Sequence, residues 1–330
     1  MGGRALKHTT TRRYELAEFE EIQKEIYPKL EKYFAQMGMP LYYKNKQSFG
    51  DIDIVVAIPE NFPYKMSDII EKEFKPNEIF HNGNCWSFDF KELQVDLITV
   101  NPIHFESNLM YLSYNDLGNF IGRLAHQFGL KYGQEGLWYN HNFKGSNIAR
   151  IPVSKDYPKI YKFLGLDFNK WMQGFDELED VFNFVAESPY FDWKIFQMDS
   201  LNRINRERNL KRTSYMTFLE WIDKNAKHRE YTFNDADDYR GSIIETFPEA
   251  DLEYYIREAE YNHCKSLFIK SKFNGKLVSE RFNLTGEALG NAIKKFMGEF
   301  ASEGIDFNQW ILENDRNVIF SRFEKSIQGI

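Results

Sequence analysis

Two aspartates lie two residues apart in an apolar stretch near the start of the chain. The stretch runs Gly50-Asp51-Ile52-Asp53-Ile54-Val55-Val56. Because residues i and i+2 of a strand point to the same face, Asp51 and Asp53 would project side by side while the isoleucines enter a core. Two carboxylates this close repel each other unless a proton or a cation relieves them. A hard divalent cation such as Mg²⁺ takes carboxylate oxygens and keeps room for waters and phosphates.

A third aspartate lies in a second apolar stretch further along the chain. Leu93–Val100 (LQVDLITV) is typical of a strand, with Asp96 as its one charged residue. If this strand pairs beside the first, three carboxylates converge, enough to hold two metal ions for an in-line displacement at phosphorus. A calcium-binding loop is disfavoured, because its fifth position would be Val55 and no glycine follows. A solvated strand edge is the alternative interpretation of the first pair of aspartates.

The order of these motifs resembles a known family. Gly50-Asp51-Ile52-Asp53 followed by Val95-Asp96-Leu97 is similar to the palm of the polymerase-beta-type nucleotidyltransferases and, within that superfamily, to the family X DNA polymerases. The resemblance runs from about Tyr42 to about Asp167, about half of the chain. Its further segments are Asn82-Gly83-Asn84-Cys85-Trp86, Met110 to Asp116, Asn119 to Arg123, Gly129 to Leu137 and Ser154 to Leu166.

The resemblance implies a chemistry for the three aspartates. The first two would bridge two Mg²⁺ ions, with Mn²⁺ as an alternative, and the third would hold the ion that activates an attacking 3′ hydroxyl. The resemblance also implies nucleotide contacts on and near the helix that closes over the incoming base pair. We therefore expect nucleotide-binding roles for Tyr111, Asp116, Asn119 and Arg123. The last three share one stripe of that helix, and a solvated helix face is the alternative.

One part of the family pattern is missing. The superfamily usually carries Gly-Ser about ten residues before the first aspartate, but Pro40-Leu41 falls there, and proline has no N–H to donate. We expect the phosphates to be bound instead by Lys44, Lys46, Ser48 and the amide of Gly50. Lys44 stands where family members carry a phosphate-binding arginine.

The second half of the sequence is predicted to be all-helical. It contains a cluster of five cations interrupted by one acid: Arg203, Arg206, Arg208, Lys211 and Arg212. A charge run is usually a solvated face, but in an acidic protein that must hold a polyanion we favour this cluster as the nucleic-acid contact. The segment 273–290 is also similar to the glycine-punctuated helical tails of tRNA CCA-adding enzymes and bacterial poly(A) polymerases. This second resemblance favours RNA or tRNA over DNA as the acceptor.

Local patterns predict the elements that must position these residues. Apolar residues recur every three or four positions over 14–37, which predicts a helix that ends at Gly38. Asn82-Gly83 predicts a hairpin. Residues 115–128 predict the helix that carries the polar stripe, and residues 140–152 are predicted to form a polar loop.

Composition limits the class of protein. The 330 residues carry a net charge of −7 with a pI of about 5.6, which argues against broad non-specific duplex binding but leaves room for a local basic groove. No apolar run approaches about 18 residues, so no membrane span is predicted. Cys85 and Cys264 have no metal-binding spacing, and a reducing cytoplasm is the expected location. The polar and basic residues 1–13 are expected to be frayed.

These observations predict an α+β fold. A nucleotidyltransferase catalytic domain would occupy residues 1–167 and would combine a palm, a small mixed sheet with helices, with a nucleotide-closing subdomain. A helical nucleic-acid-binding domain would occupy residues 168–330. The expected function is Mg²⁺-dependent transfer of nucleotides from an NTP or dNTP to a nucleic-acid 3′ hydroxyl, with RNA or tRNA favoured. The alternatives are a family X-like DNA polymerase, an enzyme that nucleotidylates a protein or small molecule as toxin-like relatives do, and a non-catalytic nucleic-acid-binding module. Nucleotide choice, template dependence and oligomeric state are not encoded in these patterns.

Overall fold

The computed structural model describes residues 5–328 and shows a mixed α+β protein. Small sheets occupy the first half, and from Tyr157 onward the described chain forms helices without a strand. The predicted α+β class and the helical C-terminal region are therefore confirmed. Within the described residues, no helix is both long and apolar enough to cross a bilayer.

The elements of the described chain follow one another in this order. The strands are β1 (Tyr14–Glu15), β2 (Met37–Gly38), β3 (Ser48–Phe49), β4 (Asp51–Ala57), β5 (Ile79–Asn82), β6 (Cys85–Phe90), β7 (Leu93–Val100), β8 (Leu130–Gly133), β9 (Gly136–Phe143) and β10 (Ser146–Ser154). The α-helices are α1 (Leu16–Leu30), α2 (Met66–Phe74), α3 (Phe105–Leu112), α4 (Leu117–Gln127), α5 (Tyr157–Phe163), α6 (Phe168–Gln173), α7 (Leu178–Ala186), α8 (Arg203–Asn209), α9 (Thr213–Asn225), α10 (Arg240–Thr246), α11 (Leu252–Lys272), α12 (Gly275–Phe282), α13 (Gly286–Glu303), α14 (Phe307–Glu313) and α15 (Arg316–Ile327). Short 3₁₀ turns occupy Pro102–His104, Trp193–Phe196, Met198–Ser200, Ala236–Tyr239 and Pro248–Ala250.

The chain divides into two compact units, and each unit combines distant parts of the sequence. The first contains the chain up to Asn140 together with Arg150–Leu252. The second contains His141–Ala149 together with the chain from Glu253 onward. The predicted boundary at 167/168 lies inside the first unit, and as a division of function it stays a prediction.

The first unit is built on a five-stranded sheet with the strand order β2-β4-β7-β6-β5. β4 and β7 pair in parallel, whereas the other neighbours pair antiparallel. A parallel pair needs a crossover connection, and residues 58–92, which carry α2 and the β5–β6 hairpin, supply it. The hairpin predicted from Asn82-Gly83 is confirmed, with Asn82 paired to Cys85 across the turn.

The alternation of side chains along β4 and β7 gives this sheet two different faces. Ile52 and Ile54 enter a core that the sheet shares with α1 and α2. On the opposite face, Val55 and Ile98 pack with side chains of α3. The two aspartates of β4 share this second face with Val55, so α3 covers the sheet beyond them.

Helix α1 is shorter than its periodicity predicts, and Gly38 is not its end. The helix ends at Leu30, and Met37–Gly38 pairs instead with β4. A Cβ atom at Gly38 would lie 3.1 Å from the side chain of Leu109 on α3. The glycine therefore leaves room for the close packing of α3 on the sheet and does not end a helix.

The predicted polar loop at 140–152 is wrong, because these residues belong to strands β9 and β10. The strands join through Lys144-Gly145, whose φ angles of 49° and 79° are the positive values that a two-residue hairpin turn requires. Tyr139 and His141 of β9 are buried, and the polar, half-buried Asn140 lies between them. Polar composition was misleading here because a strand with one solvated face alternates polar and buried positions.

The predicted fraying of the chain start is wrong for the described residues from 5 onward, while residues 1–4 lie outside the described part. Three successive backbone N–H groups, those of residues 7–9, donate to the carboxylate of Glu78 over 2.8–2.9 Å. The backbone N–H of Arg12 donates to the carbonyl of Glu92 at 2.8 Å. The segment is therefore bound along one end of the sheet.

The second unit is a helical assembly with an aromatic core. Helices α12–α15 and the end of α11 pack around Phe273, Phe296 and Phe323. His141, at the end of β9, lies 3.0 Å through its Nε2 from Oε1 of Glu260 on α11. The hairpin end and the C-terminal helices thus form one unit although they are far apart in sequence.

Candidate metal and nucleotide site

The parallel register of β4 and β7 brings the three predicted aspartates together. Asp53 lies directly opposite Asp96, and Asp51 lies opposite Gln94. One carboxylate oxygen from each aspartate lies within 4.8 Å of the others. Three carboxylate oxygens at this separation are the ligand type that Mg²⁺ and Mn²⁺ prefer. The donor set therefore fits a hard divalent cation.

Burial and mutual repulsion disfavour the charged form of this cluster. Burial raises the pKa of Asp53 well above its usual value, and the charges of Asp51 and Asp96 raise it further. Burial also raises the pKa of Asp96 to about 6, with the charge of Asp51 adding to the shift and hydrogen bonds from Ser87 and Gln94 opposing it. A bound cation would relieve this repulsion by favouring the ionised carboxylates.

Gln94 is a site residue that the sequence did not reveal. It is buried, and its side-chain amide nitrogen donates to both carboxylate oxygens of Asp96 at 2.9 Å. Its amide oxygen accepts the backbone N–H of Ala5 at 2.8 Å. The amide therefore orients the carboxylate without adding a positive charge that would compete with a cation. The available signal was its place two residues before Asp96, on the same face of the strand.

Lys46 supplies a positive charge beside the aspartates. Burial lowers its pKa, whereas the charges of Asp51 and Asp53 raise it. Its Nζ lies 4.7 Å from the centre of the Phe49 ring and donates to Oδ1 of Asn115 at 3.3 Å. An aromatic ring and a neutral amide thus position the ammonium group, which keeps its charge available for an anionic ligand.

Asp51 and Asp53 line a cleft of about 630 Å³ within the first unit. This volume falls within the range of about 300–1,000 Å³ that small-ligand pockets have. The predicted residues in its lining are Lys46, Ser48, Gly50, Asp51, Asp53, Asp116, Lys211 and Arg212. Lining residues that the sequence did not single out include Arg13, Asn115, Thr213, Ser214 and Thr217. The cleft therefore combines carboxylates with cations and hydroxyl groups.

Four predicted nucleotide contacts lie outside this lining: Lys44, Tyr111, Asn119 and Arg123. Lys44 forms an ion pair with Asp176 at 2.6 Å, and both side chains are exposed. Tyr111 packs its ring near that of Tyr132, and burial raises the pKa of its hydroxyl. Of the two predicted phosphate-binding lysines, Lys46 is the one that the structure places in the cleft.

Asp116 lies in the cleft but is already bound by the helical part of the chain. Its buried carboxylate accepts hydrogen bonds from the Arg212 guanidinium and the Ser214 hydroxyl. Removing one partner of such a pair is costly, because it leaves an uncompensated buried charge. Asp116, a predicted nucleotide contact, and Arg212, a predicted nucleic-acid contact, are thus bound to each other.

The other two residues of the polar stripe on α4 make similar contacts. Asn119 donates to the side chain of Asn209 at 3.3 Å. Arg123 donates to the carbonyl oxygen of Ile195 through two nitrogens, at 2.6 and 3.0 Å. Together with Asp116, they attach α4 to the segment 195–214. Of the three stripe residues, Asp116 is the one that lines the cleft.

The five predicted nucleic-acid contacts separate into two groups. Lys211 and Arg212 line the cleft, whereas Arg203, Arg206 and Arg208 lie on the exposed helix α8. Arg206 donates to two backbone carbonyls of the preceding turn, so it supports the local fold. Arg203 pairs with a glutamate one turn later on the same helix but is 89% exposed. Arg203 and Arg208 are therefore the members of this helix that are best placed to contact a polyanion.

No protein-family model matches the chain, and no curated protein matches it at a significant level. The fold and the site define an α+β protein with an acidic cluster that faces a ligand-sized cleft. Its function is inferred from that geometry.

Asp96→Asn should stabilise the metal-free protein. The pKa of this carboxyl group is about 6 in the folded protein, above its usual value of 3.8, so its ionisation increasingly opposes folding as the pH rises between these values. At pH 8 the substitution should raise the free energy of unfolding by about 1–3 kcal/mol. The gain should shrink as the pH falls through 6 toward 4. Chemical denaturation in the presence of a chelator measures both effects.

Asp89→Asn is the matched control for this experiment. Asp89 is buried on the neighbouring strand β6, but its carboxylate accepts three hydrogen bonds, from Asn77 and Glu78. Its substitution should destabilise the protein by about 1–3 kcal/mol. Added Mg²⁺ or Mn²⁺ should raise the thermal midpoint of the wild type and of Asp89→Asn but not of Asp96→Asn. The assignment of a metal site would be contradicted if both substitutions destabilised the protein. It would also be contradicted if Mg²⁺ stabilised the wild type and both variants equally.

Proposed function

We propose that the chain is a Mg²⁺-dependent nucleotidyltransferase with a polymerase-beta-type palm, which transfers nucleotides from an NTP to the 3′ hydroxyl of an RNA such as tRNA. The observation that carries the proposal is the juxtaposition of Asp51, Asp53 and Asp96 beside a ligand-sized cleft. Two acids from one strand and a third from its parallel neighbour provide a donor set for two divalent ions. The small mixed sheet, covered by helices on both faces, supports the palm interpretation.

In this proposal the two aspartates of β4 share one role, and Asp96 of β7 has another. Asp51 and Asp53 would bridge two Mg²⁺ ions, and Asp96 would bind one of them. Bound there, the ions supply the Lewis acidity that lowers the pKa of the attacking hydroxyl and neutralises the leaving pyrophosphate. Gln94 holds both oxygens of Asp96, so this carboxylate keeps one orientation before the ligand arrives.

The cations of the cleft would bind the triphosphate. Lys46 lies beside the aspartates and is positioned by neutral groups. Arg13 donates to the hydroxyl and the carbonyl of Ser48 at 2.6 and 2.8 Å, which keeps its guanidinium at the cleft. Lys46 and Arg13 thereby supply positive charge that compensates for the missing Gly-Ser of the superfamily.

The distribution of the remaining cations supports a polyanionic acceptor. The exposed Arg203 and Arg208 on α8 directly precede Lys211 and Arg212 in the cleft lining. A run of cations that begins on an exposed helix and ends in the cleft would bind a phosphate backbone whose terminus reaches the aspartates. The choice of RNA over DNA depends on the resemblance of segment 273–290 to RNA-modifying enzymes.

The direct test is incubation of the purified protein with Mg²⁺, each labelled NTP or dNTP, and one acceptor at a time: tRNA, single-stranded RNA or primed DNA. We expect transfer to RNA, with a loss of at least about a hundredfold in Asp53→Asn. Asp68→Asn, at an exposed carboxylate on α2 of the same unit, is the control and should retain activity.

The other outcomes of this assay separate the alternatives. Transfer to primed DNA alone would favour the family X-like polymerase. Labelling of a protein or small molecule instead of a nucleic acid would favour the nucleotidylating alternative. Absence of both transfer and metal-dependent nucleotide binding would contradict the proposal and leave the non-catalytic binding module.

Lys46→Gln should weaken NTP binding, whereas Lys44→Gln should not. The two lysines lie two residues apart, but one lines the cleft and the other pairs with Asp176 at the surface. Loss of a charge-assisted contact costs about 1.5–3 kcal/mol, so the KM for NTP should rise about ten- to a hundredfold in Lys46→Gln. Steady-state kinetics of the two variants measure this difference. Equal effects at both positions would assign the phosphate contact to another residue.

Reversing the charges of Arg203 and Arg208 to Glu should weaken binding to single-stranded RNA. Each lost phosphate contact should reduce the slope of log K against log salt concentration by about 0.7. Lys294→Glu with Lys295→Glu is the matched control, because it changes the net charge equally at exposed positions on α13. Titrations over a range of salt concentrations measure the slope. An equal loss of affinity in both double variants would show that net charge, not a contact on α8, governs binding.

A further inference from the structure

Helix α11 of the second unit exposes a row of aromatic side chains. Tyr254, Tyr261 and Phe268 are 55%, 67% and 52% exposed. They are seven residues apart, close to two helical turns, so they form one stripe along the 21-residue helix. Ile256, on the opposite side of the helix, is buried, and Ile269, which flanks the stripe, is partly buried. The exposed stripe is therefore the face that α11 does not use within its own unit.

Two opposite charges complete this stripe. Glu258 lies between the first two aromatic residues and Lys265 between the last two, at alternating spacings of four and three residues. The order along the stripe is aromatic, acid, aromatic, base, aromatic. Read in the reverse direction, the order is aromatic, base, aromatic, acid, aromatic. The stripe is therefore complementary to a second copy of itself that runs antiparallel.

The charges of the whole helix follow the same order as those of the stripe, with an acidic N-terminal half and a basic C-terminal half. Residues 252–261 carry three glutamates and one arginine, whereas residues 262–272 carry three lysines and no acid. A parallel pair of such helices would place acidic halves side by side and basic halves side by side. An antiparallel pair places each acidic half against a basic half, which is favourable.

We propose that α11 is the interface of a homodimer with twofold symmetry, in which two copies of the helix pack antiparallel with Tyr261 close to the axis. Tyr254 then packs near Phe268 of the partner subunit, and Glu258 faces Lys265 of the partner subunit. A twofold interface must be self-complementary, and this stripe is. A polynucleotide is a poorer occupant, because the acid and the base on the stripe balance and leave no net positive charge for phosphates.

The size of this interface sets the strength of the dimer. A helix of this length extends about 30 Å, and one pair of such helices buries on the order of 1,000 Å² in total, at the low end for specific interfaces. The dissociation constant is therefore in the micromolar range, and the dimer population changes with protein concentration.

Sedimentation of the full-length protein between about 1 and 100 µM tests the proposal across this range of dissociation constants. We expect a reversible monomer–dimer equilibrium. Tyr261→Glu should raise the dissociation constant at least about thirtyfold, because it buries a charge at the centre of the interface. Val318→Glu introduces the same charge at a 49% exposed residue of α15 and should leave the constant unchanged. A wild type that stays monomeric throughout, or a Tyr261→Glu variant that dimerises like the wild type, would overturn the proposal.

Charge exchange tests the antiparallel orientation. Lys265→Glu alone should weaken the dimer about tenfold, because two symmetric ion pairs become repulsive. Adding Glu258→Lys to the same chain should restore wild-type affinity, since each exchanged acid again faces an exchanged base. A double variant that remains as weak as Lys265→Glu would overturn the antiparallel pairing. Circular dichroism of each variant checks that the helical content is unchanged.

Discussion

The parallel pairing of β4 with β7 is the interaction on which the candidate site depends. A slip of one residue in this register would turn Asp96 to the opposite face of the sheet. Ile52 and Ile54, with Val95 and Leu97 of β7, resist such a slip because they are fully buried on the other face. Each buried side chain of this size contributes about 1.5–3 kcal/mol. Apolar burial therefore holds together three carboxylates that would otherwise separate.

Contacts between residues close in sequence could be predicted, whereas contacts between residues distant in sequence could not. Alternation within one strand was sufficient to predict that Asp51 and Asp53 share a face, and a dipeptide was sufficient for the β5–β6 hairpin. The approach of Asp96 depended in addition on the assumed pairing of the two strands. Gly38 was misinterpreted because a glycine that packs closely against a distant helix looks the same in sequence as a helix terminator. The contact of Gln94 with Asp96 had a local signal in their spacing of two residues. The covering of the α4 stripe was not predictable, since it depends on residues that only the folded chain brings together.

The Asp116–Arg212 pair changes how the cleft is understood. The sequence assigned these residues to different ligands, but they lie together at the boundary between α4 and the segment that precedes α9. Because the partly exposed Arg212 neutralises the buried Asp116, loss of either residue would perturb folding. The polar stripe is therefore first a structural connection between α4 and the segment 195–214. Of its three residues, Asp116 is the one that lines the cleft.

The β9–β10 hairpin has a consequence for the order in which the protein is assembled. Its end lies in the second unit, where His141 contacts Glu260, a residue 119 positions later in the chain. At about 5–20 residues per second, a ribosome needs roughly ten seconds to make that intervening stretch. The hairpin end therefore lacks this contact for that interval, while the first unit is completed. A nascent chain of this protein carries the hairpin end without its partner helix until the second unit is made.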